Sequence, residues 1–128
     1  NPIYPDIEAE IDAVIKGGAD IVMLPYYKTL EEVKKFIGFV NGRARVMVLA
    51  ETKEAKDIMD EVVALDGVDE VHIGHFHNHQ IINNVIVNGS LMGCDNYAQN
   101  FKYHALPSQV LRVYDEKGNT ITYEIILK

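Results

Sequence analysis

The first 74 residues repeat one unit three times, in which an amphipathic helix ends at a glycine and a short apolar strand follows. The glycines that mark the repeat are Gly18, Gly42 and Gly67, at separations of 24 and 25 residues. Strands that alternate with helices at this spacing form right-handed parallel βαβ crossovers. This repeat therefore restricts the chain to an α/β fold.

Each repeat carries recognisable signals for its helix and its strand. The predicted strands are ADIVMLP at 19–25, RVMVLAE at 45–51 and DEVHIG at 69–74. Asp6 is expected to cap the first helix, and Thr29 with Glu32 to form a capping box on the second. A single third helix is predicted, which carries an apolar stripe of Ala55, Ile58, Met59 and Val62 and ends at DG.

The pattern changes from residue 84, where strands follow one another without helices of comparable length. The predicted strands are NVIVNGS at 84–90, QVLRVYD at 109–115 and TITYEIIL at 120–127, and EKGN at 116–119 reads as a hairpin turn. Residues 91–106 are compatible with a short helix or an ordered loop. We expect a single α/β domain over 1–128, with parallel βα-type units over 1–74 and a β-rich part with an antiparallel hairpin over 75–128.

Charge and cysteine content restrict the partners and the compartment. Twelve basic and nineteen acidic residues give a net charge of -7, which argues against strong nucleic-acid binding and against capture by an anionic membrane. No apolar run approaches the roughly 20 residues of a spanning helix. Cys94 is the only cysteine, so no intramolecular disulfide can form and we expect a reducing, cytoplasmic location. Because the chain begins at Asn1, we expect it to be a piece cut from a longer one.

Four of the five histidines lie in the ten residues VHIGHFHNHQ at 71–80. Side chains two apart on an extended segment point to the same face, so His75, His77 and His79 could converge on one ion. Neutral imidazole binds zinc, manganese and iron. The alternative is a glycine-led turn with exposed polar side chains, and the residues alone leave the two interpretations nearly even.

Glu51 is a candidate fourth ligand, because it ends the second predicted strand. The C-terminal ends of parallel strands share one edge of the sheet, where ligands bind. A carboxylate with two or three imidazoles is a competent set for a divalent ion such as Mn²⁺, Zn²⁺ or Mg²⁺. The alternative for Glu51 is an exposed residue that favours the N-terminus of the next helix. Tyr26, Tyr27 and Lys28 follow the first strand. Packing is the simpler role for the two tyrosines, and for Lys28 solvation is simpler than binding of a phosphate or carboxylate.

Residues 1 to about 74 resemble consecutive βα units of the aldolase/citrate lyase family of pyruvate-handling TIM barrels. The resemblance rests on GADIVMLPYYKTLEEVKKFI, VMVLAETKEA and GVDEVHIG, which occur in order. It implies that Glu51 helps to hold a magnesium or manganese ion that binds an oxo-acid. The family's second acidic ligand is an aspartate shortly after the third of these segments. This chain has HFHNHQ there instead, so that ligand is absent.

Residues from about 73 to 128 resemble the C-terminal end of a calcineurin-like metallophosphoesterase. The segments that carry the resemblance are GHFH, NVIVNGSLMG and ALPSQVLRVYDEKGN. It implies that His75 and His77 are ligands of a two-metal centre that acts on a phosphoester. The family's earlier motifs, an aspartate-x-histidine, a GD and a GNH, are missing from this chain.

Two resemblances that meet within one strand favour recombination inside that strand over fusion of whole domains. The sequence therefore predicts an engineered or recombined chimeric scaffold that binds a divalent metal weakly and has no complete set of catalytic or cofactor-binding residues. The first alternative is a metal-dependent phosphoesterase with residual activity. The second is a metal-dependent lyase acting on an oxo-acid.

The strands DIVMLP and RVMVLA are apolar on both faces, whereas helices from right-handed crossovers cover only one face. Exposed apolar surface in such a protein tends to become an interface. We expect a homodimer in which the uncovered face of one sheet packs on that of its partner.

Overall fold

The structure is a computed structural model that describes residues 3–74, 79–93 and 106–127. Its elements follow the α/β order that the repeat predicts. They are α1 Ile7–Lys16, β1 Ile21–Pro25, α2 Leu30–Val40, β2 Arg45–Leu49, α3 Lys53–Asp57, α4 Met59–Val63, β3 Glu70–Ile73, β4 Gln80–Ile82, β5 Val85–Val87, β6 Ser108–Tyr114 and β7 Thr120–Ile126. One sheet has the strand order β1-β2-β3-β5-β4, and a second sheet consists of β6 and β7.

The three strands of the repeat are parallel, as predicted. Val22 lies opposite Val46 in β1 and β2, and Val48 lies opposite Val71 in β2 and β3. The register of β3 on β2 is held by the Asp69 carboxylate, which accepts a hydrogen bond of 2.7 Å from the Val46 backbone N–H. Strand, helix and strand thus form the predicted crossovers.

Alternation along these strands separates a buried face from a partly exposed one. On the buried face, helix α2 packs on β1 and β2. That face consists of Val22, Leu24, Val46, Val48, Val71 and Ile73, each at most 7% exposed. The opposite face is less buried, and Met23 in it is 47% exposed. Glu70 is the exception there, since it is only 5% exposed.

The capping box predicted for the second helix is confirmed. Thr29 Oγ1 accepts from the Glu32 backbone N–H at 3.3 Å, and Glu32 Oε2 accepts from the backbone N–H groups of Thr29 and Lys28 at 2.9 and 2.8 Å. These bonds lower the pKa of Glu32, and the bond from the Lys28 N–H has the largest effect. Glu32 therefore remains ionised where it stabilises the start of α2.

Two helix predictions are wrong in detail. Asp6 precedes α1, but its side chain makes no capping bond, because its backbone has ψ 10 instead of the extended value that directs an N-cap oxygen at the helix. The third helix is divided at Ile58, whose φ of −108 and ψ of 15 separate α3 from α4. Its apolar stripe still packs inward, because Ala55 and Val62 are fully buried.

The chain divides into two compact units, Asn1–Ile73 with Asn83–Val85 and Gly74–Ile82 with Ile86–Lys128. In the second unit, β6 and β7 form the predicted antiparallel hairpin, with Val110 opposite Glu124. The predicted turn is present, since the Asp115 carboxylate accepts from the backbone N–H groups of Lys117 and Asn119 at 2.9 and 2.7 Å. Strand β4 was not predicted, and most of 91–106 lies outside the described residues.

Within the described ranges, every helix is too short or too polar to cross a membrane.

Two glycines, Gly67 of the repeat and Gly38 inside α2, allow a direct test of the fold. Gly67 has φ 94, and a Cβ atom there would lie 2.8 Å from Cγ2 of Ile37. Gly67→Ala should therefore lower the free energy of unfolding by about 1–3 kcal/mol. Gly38 lies inside α2 and a Cβ there meets nothing within 4 Å, so Gly38→Ala should raise it by about 0.5–1 kcal/mol. Urea denaturation measures both, and equal effects of the two substitutions would contradict this packing.

Candidate metal site

Glu51 lies two residues beyond the C-terminal end of β2 and so does not end the strand as predicted, and its side chain is exposed. The residue that caps the following helix is Thr52, whose hydroxyl accepts from the Ala55 backbone N–H at 2.9 Å. The Thr52 hydroxyl also donates to the Tyr27 carbonyl at 3.0 Å and so connects the ends of β1 and β2. The cap thus leaves the Glu51 carboxylate accessible to a cation at the edge of the sheet.

The three residues after β1 take roles in structure. Tyr27 is 1% exposed, as the packing interpretation requires. Tyr26 has φ 57 and is 60% exposed, which places it at the turn out of the strand. The Lys28 side chain is exposed, and its backbone N–H serves the cap of α2. Packing is therefore confirmed for Tyr27 and solvation for Lys28, whereas packing is wrong for Tyr26, because its positive φ turns the side chain out of the strand.

His79 lies in the second unit, immediately before β4, and is half-buried. Its Nδ1 is 3.1 Å from the Val87 carbonyl oxygen. A carbonyl can only accept, so Nδ1 carries the proton in the neutral ring and Nε2 keeps its lone pair. Metal-binding histidines are commonly oriented by this hydrogen bond.

The other two predicted ligands, His75 and His77, lie outside the described residues. In the ranges that the structure does describe, no group of three or more histidine, cysteine, aspartate or glutamate side chains is close enough to hold a metal ion. The metal site over His75, His77, His79 and Glu51 therefore stays a prediction.

A polar pair that the sequence did not single out lies inside β3. His72 Nε2 is 2.9 Å from Glu70 Oε2, and the side chains are 22% and 6% exposed. Both belong to the face of the strands opposite α2, because they alternate with the buried Val71. The two-residue spacing of Glu70 and His72 along the predicted strand 69–74 is the sequence signal for this pair.

The NGS segment of the phosphoesterase resemblance has a structural role in the second unit. Asn88 Oδ1 accepts from the Val110 backbone N–H at 3.0 Å, and Asn88 Nδ2 donates to Gln109 Oε1 at 3.1 Å. The Ser90 carbonyl accepts from the Ser108 N–H at 2.9 Å. These bonds hold 88–90 on β6. This structural role accounts for the segment without a ligand.

Comparison of the chain with protein-family models, curated proteins and solved structures finds no match.

Burial of Tyr27 predicts that the first unit loses stability at alkaline pH. Its hydroxyl is buried without a hydrogen-bond partner among the described residues, and burial raises its pKa to about 12. The tyrosine hydroxyl ionises near pH 10 in the unfolded chain and only at higher pH in the folded protein. The free energy of unfolding is therefore unaffected below about pH 10 and falls between about pH 10 and 12. The loss approaches about 2–3 kcal/mol.

Tyr27→Phe should remove this pH dependence and raise the free energy of unfolding by about 1 kcal/mol at neutral pH, because it deletes an unpaired buried hydroxyl. Urea denaturation at pH 8 and pH 11 tests both effects, with the exposed Tyr26→Phe as the matched control. An alkaline loss of the same size in wild type and Tyr27→Phe would show that another group is responsible.

Proposed function

We propose that the chain is a recombined α/β scaffold that binds a divalent metal ion weakly through His75, His77 and His79 and lacks a complete catalytic set. The observation that carries the metal-binding part is the hydrogen bond from His79 Nδ1 to the Val87 carbonyl. It leaves Nε2 of His79 as a ligand atom with its orientation set in advance.

The sequence around His79 supplies further ligands of the same type. His75 and His77 precede it at two-residue spacing, and GHFH is the segment that resembles the metal-binding motif of the phosphoesterases. Two or three imidazoles suit zinc or manganese, with water in the remaining positions. When bound, such an ion would supply a Lewis acid and a site for water.

The residues present do not fit a two-metal phosphoesterase centre. The aspartate-x-histidine, GD and GNH motifs that would supply the other ligands are missing from the sequence. Charge stabilisation in phosphoryl transfer depends on that centre, and one weakly held ion cannot replace it. The proposal is therefore binding without efficient turnover.

The division of the chain supports a recombined origin. One boundary between the compact units falls between Ile73 and Gly74, where the two resemblances meet, although Asn83–Val85 also belongs to the first unit. Both parent families place an apolar parallel strand and then a ligand-bearing loop at this position. A junction there preserves the direction of the backbone.

Metal binding should depend on the histidine segment and on pH. Calorimetry with zinc or manganese at pH 7.5 should show binding that weakens as pH falls through about 6.5, because protonated imidazole cannot bind a metal. His75→Ala with His77→Ala should abolish the heat, and His79→Ala should weaken binding about tenfold or more.

His104→Ala is the matched control, because His104 is the one histidine outside 71–80. It should leave the titration unchanged. Absence of heat in the wild type, or binding that survives loss of both His75 and His77, would disprove the site.

Phosphoesterase turnover should be negligible even with manganese or zinc in excess. A chromogenic phosphodiester measures it directly, with His77→Ala as the control. Hydrolysis at an ordinary enzymatic rate, on the order of 1–1,000 per second, that disappears in His77→Ala would instead support the phosphoesterase alternative.

A further inference from the structure

In the part of the second unit that the structure describes, strand β7 presents an open edge. It is the last strand of the two-stranded sheet among the described residues. The other side of its partner β6 is engaged, since Ser108 donates to the Ser90 carbonyl and Val110 donates to the Asn88 side chain. A two-stranded hairpin is marginally stable alone in water, and further strands stabilise it.

The hydrogen bonds of the hairpin identify the backbone groups that point outward. Asp115 donates to the Asn119 carbonyl at 3.0 Å, and Leu127 donates to the Pro107 carbonyl at 2.7 Å. In an antiparallel ladder such bonded pairs recur at every second residue. The odd-numbered residues of β7 therefore bond to β6, and the backbone groups of Thr120, Thr122, Glu124 and Ile126 point away from it.

The two faces of the hairpin differ in character. The face that contains Tyr123 is apolar and open to solvent, and Tyr123 itself is 51% exposed. Its other apolar members are Leu111, Val113, Ile121 and Ile125, and Gln109 lies at its end opposite Ile125. The opposite face carries polar contacts, such as the 2.7 Å bond from Arg112 Nη1 to Thr122 Oγ1. A strand added to the edge must match an apolar row on one face and a mostly polar row on the other.

We propose that a second copy of the chain pairs through β7, antiparallel, about a two-fold axis at Tyr123. In this register Thr122 lies opposite the partner's Glu124, and Thr120 lies opposite the partner's Ile126. All four residues with outward backbone groups are then paired. On the apolar face, Tyr123 meets the partner's Tyr123 and Ile121 meets the partner's Ile125.

Charge selects this register over its neighbours. A shift of the symmetric pairing by one residue toward the C-terminus places Glu124 opposite the partner's Glu124, and like charges directly opposite are destabilising. The opposite shift leaves Ile126 without a cross-strand partner inside β7. The register centred on Tyr123 avoids both, and aromatic and β-branched cross-strand pairs favour it. The product is a closed four-stranded sheet with two-fold symmetry.

Single cysteines test the register in a Cys94→Ala background. Tyr123 and the partner's Tyr123 form a non-hydrogen-bonded pair with Cα atoms about 4.5 Å apart, within the disulfide range of about 4.4–6.8 Å. Oxidised glutathione should therefore link Tyr123→Cys into a covalent dimer. Ile121→Cys alone should not link, because its own counterpart is four residues away, about 13 Å along the strand.

Mixing Ile121→Cys with Ile125→Cys should restore the link, since these positions face each other across the axis. Light scattering of the unmodified chain at micromolar concentration should give twice its mass. Glu124→Pro, which removes an outward N–H from the edge, should shift that mass toward the monomer.

A monomeric mass for the unmodified chain would overturn the proposal. A dimer in which Tyr123→Cys fails to link would also overturn it and would point to packing between sheet faces. Linkage of Ile121→Cys alone as efficient as that of Tyr123→Cys would disprove the register, and masses beyond the dimer would disprove the closed symmetry.

Discussion

Burial of one face of the three parallel strands beneath the helices is the constraint on which the rest of the first unit depends. Right-handed crossovers put every connecting helix on the same side, so the apolar residues on that side must match α2 and its neighbours. Val48 and Val71 at its centre are fully buried. The Asp69 carboxylate holds the register that keeps them aligned. A slip by one residue would move the buried side chains of a strand to the opposite face of the sheet.

Regular elements could be predicted from the sequence because their signals are local. The repeat around Gly18, Gly42 and Gly67 predicted three parallel strands, and all three glycines have positive φ. The predictions that failed concern positions whose backbone conformation is set by the surrounding structure. Asp6 has the right chemistry for a cap but the wrong backbone angle, and the kink at Ile58 has no sequence signal. Strand β4 is three residues long, which is too short for alternation to be recognised.

Less of the candidate site could be predicted, because its chemistry depends on partners distant in sequence. Spacing selected His79, but only the structure pairs its Nδ1 with the Val87 carbonyl and so leaves the lone pair on Nε2. The Glu70 and His72 pair follows the same alternation, but nothing in the sequence indicates that a glutamate in a parallel strand is buried. Conversely, the NGS segment is explained by its hydrogen bonds to β6 alone.

Strand β3 shows how two unlike segments can share one sheet. Its residues pair with β2 on one side, where Met47 lies opposite Glu70. On the other side the Val71 N–H donates to the Asn84 carbonyl at 2.9 Å, and Asn83–Val85 belongs to the first compact unit although it follows Gly74–Ile82 of the second unit in the sequence. Backbone hydrogen bonds do not depend on side-chain identity, so segments of different sequence can complete one ladder. What each segment must supply is the alternation, and the apolar Val71 and Ile73 satisfy it.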